Sequence, residues 1–263
     1  MSAFAFDSAI LRLPGRSVID GLRDDRSAVP DYDGVLGEQA AYIAALRAIG
    51  LDVDVLPALE AFPDSMFVED PALVLTEGAI LLRPGAPSRA GEVAEIRPAI
   101  LRHFEEVREL PEGEDVDGGD VLVTPNAVFI GLSKRTSRVG AEALALHLAA
   151  FGYTPRIVAT PDGVLHLKTA VSLLAEDTVF ATREIADSGL FAGFEVVVAP
   201  EGEAAAANAL RVHDVVFIGE QYPLSCECLA RKGFTVTPLS VGEVAKLDAG
   251  LSCMSLRWKR AAN

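Results

Sequence analysis

The chain has 263 residues, half of them apolar, which is enough to bury one large core or two small ones. Its 38 acidic residues outnumber 23 basic ones, and the formal net charge of −15 excludes nucleic acid and an anionic membrane surface, both of which would be repelled. A small cationic ligand is attracted instead. No apolar run approaches the ~20 residues that span a bilayer, and "MSAFAFDSAILRLPG" lacks a signal peptide's basic start and long apolar centre, so the expected compartment is cytoplasmic.

In chain order, "SAILRLP" reads as a strand. "GRSVIDGLRDDRSAVPDYDG", from Gly15 to Gly34, fits no helix or strand period and reads as a surface loop that could act as a lid. "YDGVLGEQAAYIAALRAIG" is an amphipathic helix, and "DVDVLP" its returning strand. A fuller phrase follows in "VEDPALVLTEGAILLRPGAPSRAGEVAEIRPAILRHFEEVREL": a polar cluster, a hairpin turning at Glu77-Gly78, a helix opened by Pro87-Ser88, and a strand. "DGGDVLVTPNAVFIGLSKRTSRVGAEALALHLAAFGYTPRIVAT" repeats it, with its turn at Pro125-Asn126. Two further copies begin at "HLKTAVSLL" and "NALRVHDVV". The last segment, "CMSLRW", would pair with the N-terminal strand, so that a fifth copy is completed by both ends of the chain and a ring closes. The expected fold is thus α/β, a five-bladed ββαβ propeller with pseudo-fivefold symmetry, and residues 1–263 form a single catalytic propeller domain.

Asp70, Asp117, His166, Asn208 and Cys253 hold the same phase in successive copies, at intervals of 47, 49, 42 and 45 residues. Rotation about a ring axis would bring all five toward the centre. Turns favour Gly, Asn and Asp, but do not call for a histidine and a cysteine. Cys253, after "LDAG", is read as a nucleophile and His166 as its acid/base partner, the pairing that activates a thiol. In "MFVEDP", Glu69 and Asp70 would face opposite ways if extended, and a partly buried carboxylate there calls for a cationic partner. Gly118-Gly119 after Asp117 permits close backbone approach. Arg89 in "RPGAPSR" and Arg135 in "GLSKRTSR" hold equivalent places between hairpin and helix, two guanidinium forks on one rim suited to a carboxylate. His103, His147 and His213 receive no chemical role. Cys226 and Cys228 form a C-x-C at a helix start with no nearby histidine or second cysteine pair, and no metal is assigned there. A molecule with a cationic head and a carboxylate tail fits this set, and an arginine-like amino acid is the simplest.

The strings "FVEDPALV", "RPGAPSR", "DGGDVL", "GLSKRT", "LHLK" and "KLDAGLSC", in this order from about residue 8 to the C-terminus, resemble the dimethylarginine dimethylaminohydrolase (dimethylargininase) family of the guanidine-modifying pentein superfamily. The resemblance implies Cys253 as nucleophile, His166 as general acid/base and Asp117 as the carboxylate that orients the histidine, at a position where many bacterial members carry glutamate. It implies that Asp70 grips the guanidinium with Glu69 and Asp64 beside it, and that Arg89 and Arg135 hold the α-carboxylate. Leu13 would be a loop residue near the substrate, with Leu247 and Asp248 flanking the pocket. The implied reaction is hydrolysis of Nω-methylated L-arginine to L-citrulline and a methylamine through a thiouronium on Cys253, with no cofactor and no metal. Deimination or amidino transfer on arginine, agmatine or another guanidine stays open, as does the non-catalytic role of a ribosome-binding protein of the same fold. The partner is a small cationic amino acid, and a homodimer is one assembly left open.

Overall fold

The structure is a computed structural model describing residues 3–261. Strand β1 (Ser8–Arg12) is followed by helix α1 (Tyr32–Ala48) and β2 (Asp52–Leu56). The second unit holds β3 (Ala72–Val74), β4 (Ala79–Leu81), α2 (Glu92–His103) and β5 (Val107–Glu109). The third holds β6 (Val121–Val123), β7 (Val128–Leu132), α3 (Arg138–Ala150) and β8 (Pro155–Ala159). In the fourth, a one-turn helix α4 (Leu167–Ala170) leads into β9 (Val171–Ala175), β10 (Thr178–Ala181), α5 (Arg183–Ser188) and β11 (Glu195–Val198). The fifth runs through β12 (Leu210–Val212), β13 (Val215–Gly219), α6 (Pro223–Arg231) and β14 (Thr235–Leu239), and after the one-turn α7 (Gly242–Ala245) the chain ends on β15 (Leu256–Trp258).

These strands form five three-stranded sheets. In every sheet the central strand pairs antiparallel with the hairpin partner and parallel with the strand that returns after the helix, as β7 does with β6 and β8. A parallel return needs a crossover, which the amphipathic helix supplies. In the terminal sheet β15 takes the hairpin place beside β1, so the ends of the chain complete one blade together. Central strands such as β4 and β10 are buried throughout and read as apolar runs, whereas the outer β14 is mostly accessible and mixes threonine with valine and proline.

The ring follows from the packing between blades. Five hydrophobic clusters each join two neighbouring blades: β1 and α1 with β12 and β13, β1 and β15 with β3 and β4, β3 and β4 with β6 and β7, β6 and β7 with β9 and β10, and β9 and β10 with β13 and α6. Each blade thus buries both faces against neighbours, and the core is a belt around an axis. No helix among the described residues is long and apolar enough to cross a membrane.

Local expectations are adjusted in four places. The first hairpin turns at Thr76-Glu77, one residue earlier than expected, because Leu75 N–H bonds Gly78 C=O; the second turns at Pro125-Asn126 with the equivalent bond from Thr124 to Ala127. Pro87-Ser88 opens only a short 3-10 turn, and α2 starts at Glu92. Cys253 lies in a turn, and the strand begins after Ser255. The loop after β1 contains a 3-10 turn (Arg16–Asp20) and ends at Asp31, whose side chain accepts the Gly34 N–H and caps α1.

Candidate active site

Asp70, Asp117, His166, Asn208 and Cys253 each stand a few residues before the first strand of a blade. Ring closure brings them together: Gly118 N–H bonds Asp70 C=O, Glu69 N–H bonds Cys253 C=O, and the Asn208 side chain bonds Cys253. Two cavities that share no lining residue open near this girdle. The larger, about 390 Å³, contains none of Asp70, His166 and Cys253. The smaller, about 190 Å³, is lined by Asp64, Phe67, Asp70, Arg89, Arg135, His166, Leu247, Asp248 and Cys253, with Leu22, Arg23 and Asp24 of the loop at its mouth. The chemistry-bearing residues therefore select the smaller cavity.

His166 caps the short helix α4 and is not part of a strand. Its Nε2 lies 2.9 Å from Asp117 Oδ2, and Asp117, fully buried behind it, is fixed by Gly85 N–H at 2.7 Å on its other oxygen. The paired ring nitrogen is thereby committed, leaving Nδ1 for proton transfer. The glycines after Asp117 are required by close approach. A Cβ at Gly118 would come within 2.0 Å of Glu69 O, and one at Gly119 within 2.7 Å of His166 Nδ1 and 3.0 Å of Asp70 Oδ1.

Burial disfavours the charged imidazole, but Asp70, the hydrogen bond that the ring donates to Asp117 and the field of Asp120 outweigh it and raise His166 to about 9. Burial first, then Glu69 and Asp70, push the Cys253 thiol up to about 11. At neutral pH the pair is therefore imidazolium and thiol. The raised histidine also has a stability consequence. Its contribution is fully present below the unfolded value near 6.5 and is lost as pH rises through about 9. Denaturant titrations at pH 6, 7.5 and 9 are expected to show stability falling across this window, and the fall is expected to shrink in His166→Asn; an unchanged slope in that variant would contradict the assigned charge.

Asp70 donates nothing and accepts twice: Oδ1 takes the Gly119 N–H at 2.9 Å and Oδ2 pairs with Arg89. Three sequence expectations are corrected here. Arg89 is not a rim residue; it is 4% exposed and its guanidinium bonds Asp70, Glu92, Phe67 C=O and Asp64 C=O, an inner cation that holds carboxylates in place. Leu13 does not line the cavity; its N–H extends the β1 to β2 pairing on Leu56, and Leu22 occupies the mouth instead. Glu69, which the resemblance places beside Asp70 at the guanidinium, points instead from the turn before β3 into the larger cavity, where Lys168 at 2.7 Å and Arg257 at 3.3 Å hold it.

Arg135 is half-buried at the mouth, and its guanidinium makes no hydrogen bond or ion pair among the described residues. Arg23 bonds Ile19 and Gly21 carbonyls, while its buried Nε has no partner. Asp64 and Asp248 anchor the loop: Asp64 Oδ1 accepts Leu22 N–H at 2.9 Å and Asp248 Oδ2 accepts Asp24 N–H at 2.7 Å. Asp248 has a left-handed backbone (φ 53°) and Leu247 beside it is buried against the cavity.

Residues that sequence reasoning passed over include Asp120, which accepts from Leu167 N–H, Ser133 and Thr136 and so fixes the start of α4. Its only signal was the second aspartate of "DGGD". Asp70, Asp117 and His166 are the group of described residues whose ligand atoms lie within 4.8 Å of one another. Their lone pairs are engaged by Arg89, by Gly119 and Gly85 N–H and by each other, a donor set arranged for protons and a cation rather than for a metal ion.

The five-bladed fold and a thiol, imidazole and carboxylates around one small cleft define a guanidine-modifying enzyme of the pentein type, and the profile of the arginine deiminase family matches residues 57–198. N(G),N(G)-dimethylarginine dimethylaminohydrolase from Pseudomonas aeruginosa is 37% identical over 254 residues, covering 96% of this chain and 100% of that one. The Streptomyces coelicolor protein of the same name is 33% identical over 255 residues, covering 95% and 96%. The solved structure of the Pseudomonas protein, a cysteine-to-serine mutant complexed with citrulline, superposes with a TM-score of 0.93 over 97% of this chain and 100% of that chain. The chain belongs to the dimethylarginine dimethylaminohydrolase family.

Proposed function

We propose that the protein hydrolyses Nω-methylated L-arginine, asymmetric dimethylarginine or monomethylarginine, to L-citrulline and dimethylamine or methylamine. The observation that carries the reading is one cleft bearing Cys253, His166 braced by Asp117, and Asp70, in a chain alike over its full length to enzymes with that name. The citrulline held by the Pseudomonas structure supports the product. The five interlocking clusters support treating the whole chain as one catalytic unit.

A guanidinium carbon is a poor electrophile because its charge is delocalised, so it must be aligned and attacked by a strong nucleophile. Asp70 aligns the bound cation. Its positive charge offsets the acidic field that raises Cys253, so the thiol loses its proton to water as substrate binds. The thiolate adds to the carbon. His166, already imidazolium, gives its Nδ1 proton to the departing methylamine as the C–N bond breaks, leaving a thiouronium. The neutral imidazole then takes a proton from water, which adds to the same carbon, and the C–S bond breaks with its electron pair returning to sulfur.

Arg135, whose guanidinium is unengaged, together with the unpartnered Nε of Arg23 on the loop, offers donors for the α-carboxylate. Arg135→Ala is expected to raise KM about tenfold to a hundredfold with little change in kcat, and to leave a decarboxylated methylguanidine unaffected; equal losses on both substrates would remove the carboxylate role.

The function is tested by citrulline and amine release with asymmetric dimethylarginine, monomethylarginine, arginine and agmatine in parallel. Turnover confined to the methylated pair supports the reading. The match to the deiminase profile favours free arginine as the second candidate, and turnover of arginine alone would establish it.

A further inference from the structure

The structure assigns Asn208 as a catalytic residue, the side-chain amide that hydrogen-bonds the Cys253 sulfur from behind and receives its thiolate. Asn208 is 9% exposed, precedes β12, and holds in its blade the place that Asp70, Asp117, His166 and Cys253 hold in theirs. It is the one member of this girdle without a part in the mechanism above. Its Nδ2 lies 3.6 Å from Cys253 Sγ. The orientation of the amide is determined by its other end, because Oδ1 accepts the Ser252 N–H at 3.3 Å, a bond that the NH2 group could not make.

The side chain is held on the remaining sides. Its own N–H bonds Ala205 C=O at 3.2 Å, and Gly250 packs so closely that an added Cβ would lie 2.5 Å from Asn208 Cγ. Asn208 does not line the cleft, so the substrate and this amide approach the sulfur from different sides. Among the described residues behind the sulfur, Glu69 and Asp70 repel negative charge, and Ser252 Oγ, 4.0 Å away, donates to Glu69. Gly250 N–H acts in the same direction as the amide. A neutral donor is suited to a site that must carry a thiolate twice, before attack and again when the C–S bond breaks and its electron pair returns to sulfur. No proton moves to or from Asn208 in either step.

The inference rests on the nucleophile assigned above, and its first readout needs no substrate. Asn208→Asp keeps size and the acceptor for Ser252 but replaces the donor with a charge, and Asn208→Ala removes both. The pH dependence of Cys253 alkylation by iodoacetamide is expected to move to higher pH in both variants, further in Asn208→Asp. On asymmetric dimethylarginine, kcat is expected to fall about tenfold to a hundredfold in Asn208→Ala, the worth of a hydrogen bond to a charged group, and more in Asn208→Asp, with KM nearly unchanged. Circular dichroism and thermal melting identify folded variants, and Asn208→Ser substitutes for one that fails to fold. Alkylation profiles that coincide with the wild-type curve overturn the assignment even where kcat falls, since a merely structural residue would leave the thiol unshifted. Failure of the substrate reading, by contrast, would leave the alkylation result standing.

Discussion

Replacing Cys253 with serine is expected to reduce turnover of asymmetric dimethylarginine by about 10⁴- to 10⁶-fold, the scale on which loss of a covalent nucleophile acts. The hydroxyl is smaller than the thiol by little and its ionisation lies far above that of sulfur, so the cleft keeps its shape but has no competent anion. The position is buried at 8% exposure in a turn whose carbonyl accepts from Glu69 N–H, and neither that bond nor the β15 pairing involves the side chain. Far-UV circular dichroism and melting temperature are therefore expected to stay close to wild type, and binding of the methylated arginine to persist in calorimetry. Residual activity above one part in a thousand, in protein shown by mass spectrometry to carry serine, would rule out the covalent route.

Asp70→Asn should separate thiol reactivity from catalysis. Asp70 raises both His166 and Cys253, and removing its charge is expected to lower both. Alkylation of Cys253 at pH 8 should then be faster than in the wild type, while turnover falls by about a thousandfold or more because the guanidinium loses the carboxylate that aligns it. The buried Arg89 loses one of its two carboxylates and keeps Glu92, so a stability loss near 3 kcal/mol, the low end for breaking a buried pair, is expected in denaturant titration. Slower alkylation together with lower turnover would indicate a general distortion of the cleft instead.

Much of this arrangement is legible in the residues. Hairpin, helix and returning strand follow from local periodicity, from Pro125-Asn126 at a turn and from the helix start read around Cys226 and Cys228, which lie in α6. The repeat interval places five polar markers at one phase, and the pairing of β15 with β1 follows from a fifth copy that neither end completes alone. Acidic composition, through long-range charge, points to a cationic ligand.

Other features depend on contacts across blades. Glu69 and Asp70 are equivalent in sequence, yet one faces Lys168 and Arg257 and the other His166 and Arg89, a choice set by where the turn bearing Cys253 docks. Arg89 looks like a surface charge at a helix start and becomes an inner cation because Glu92, Asp70 and two carbonyls converge on it from different segments. Leu22 reaches the mouth in place of Leu13 because Asp64 and Asp248 fasten the loop there. The sequence by itself determined the blades, their number and the common phase of the five polar markers, since these depend on short-range periodicity and on residue type. Only the tertiary structure decided which side of each segment meets which cavity and which charges are already paired, because those follow from contacts between distant residues, from 19 positions apart for Asp70 and Arg89 to 224 for Asp24 and Asp248.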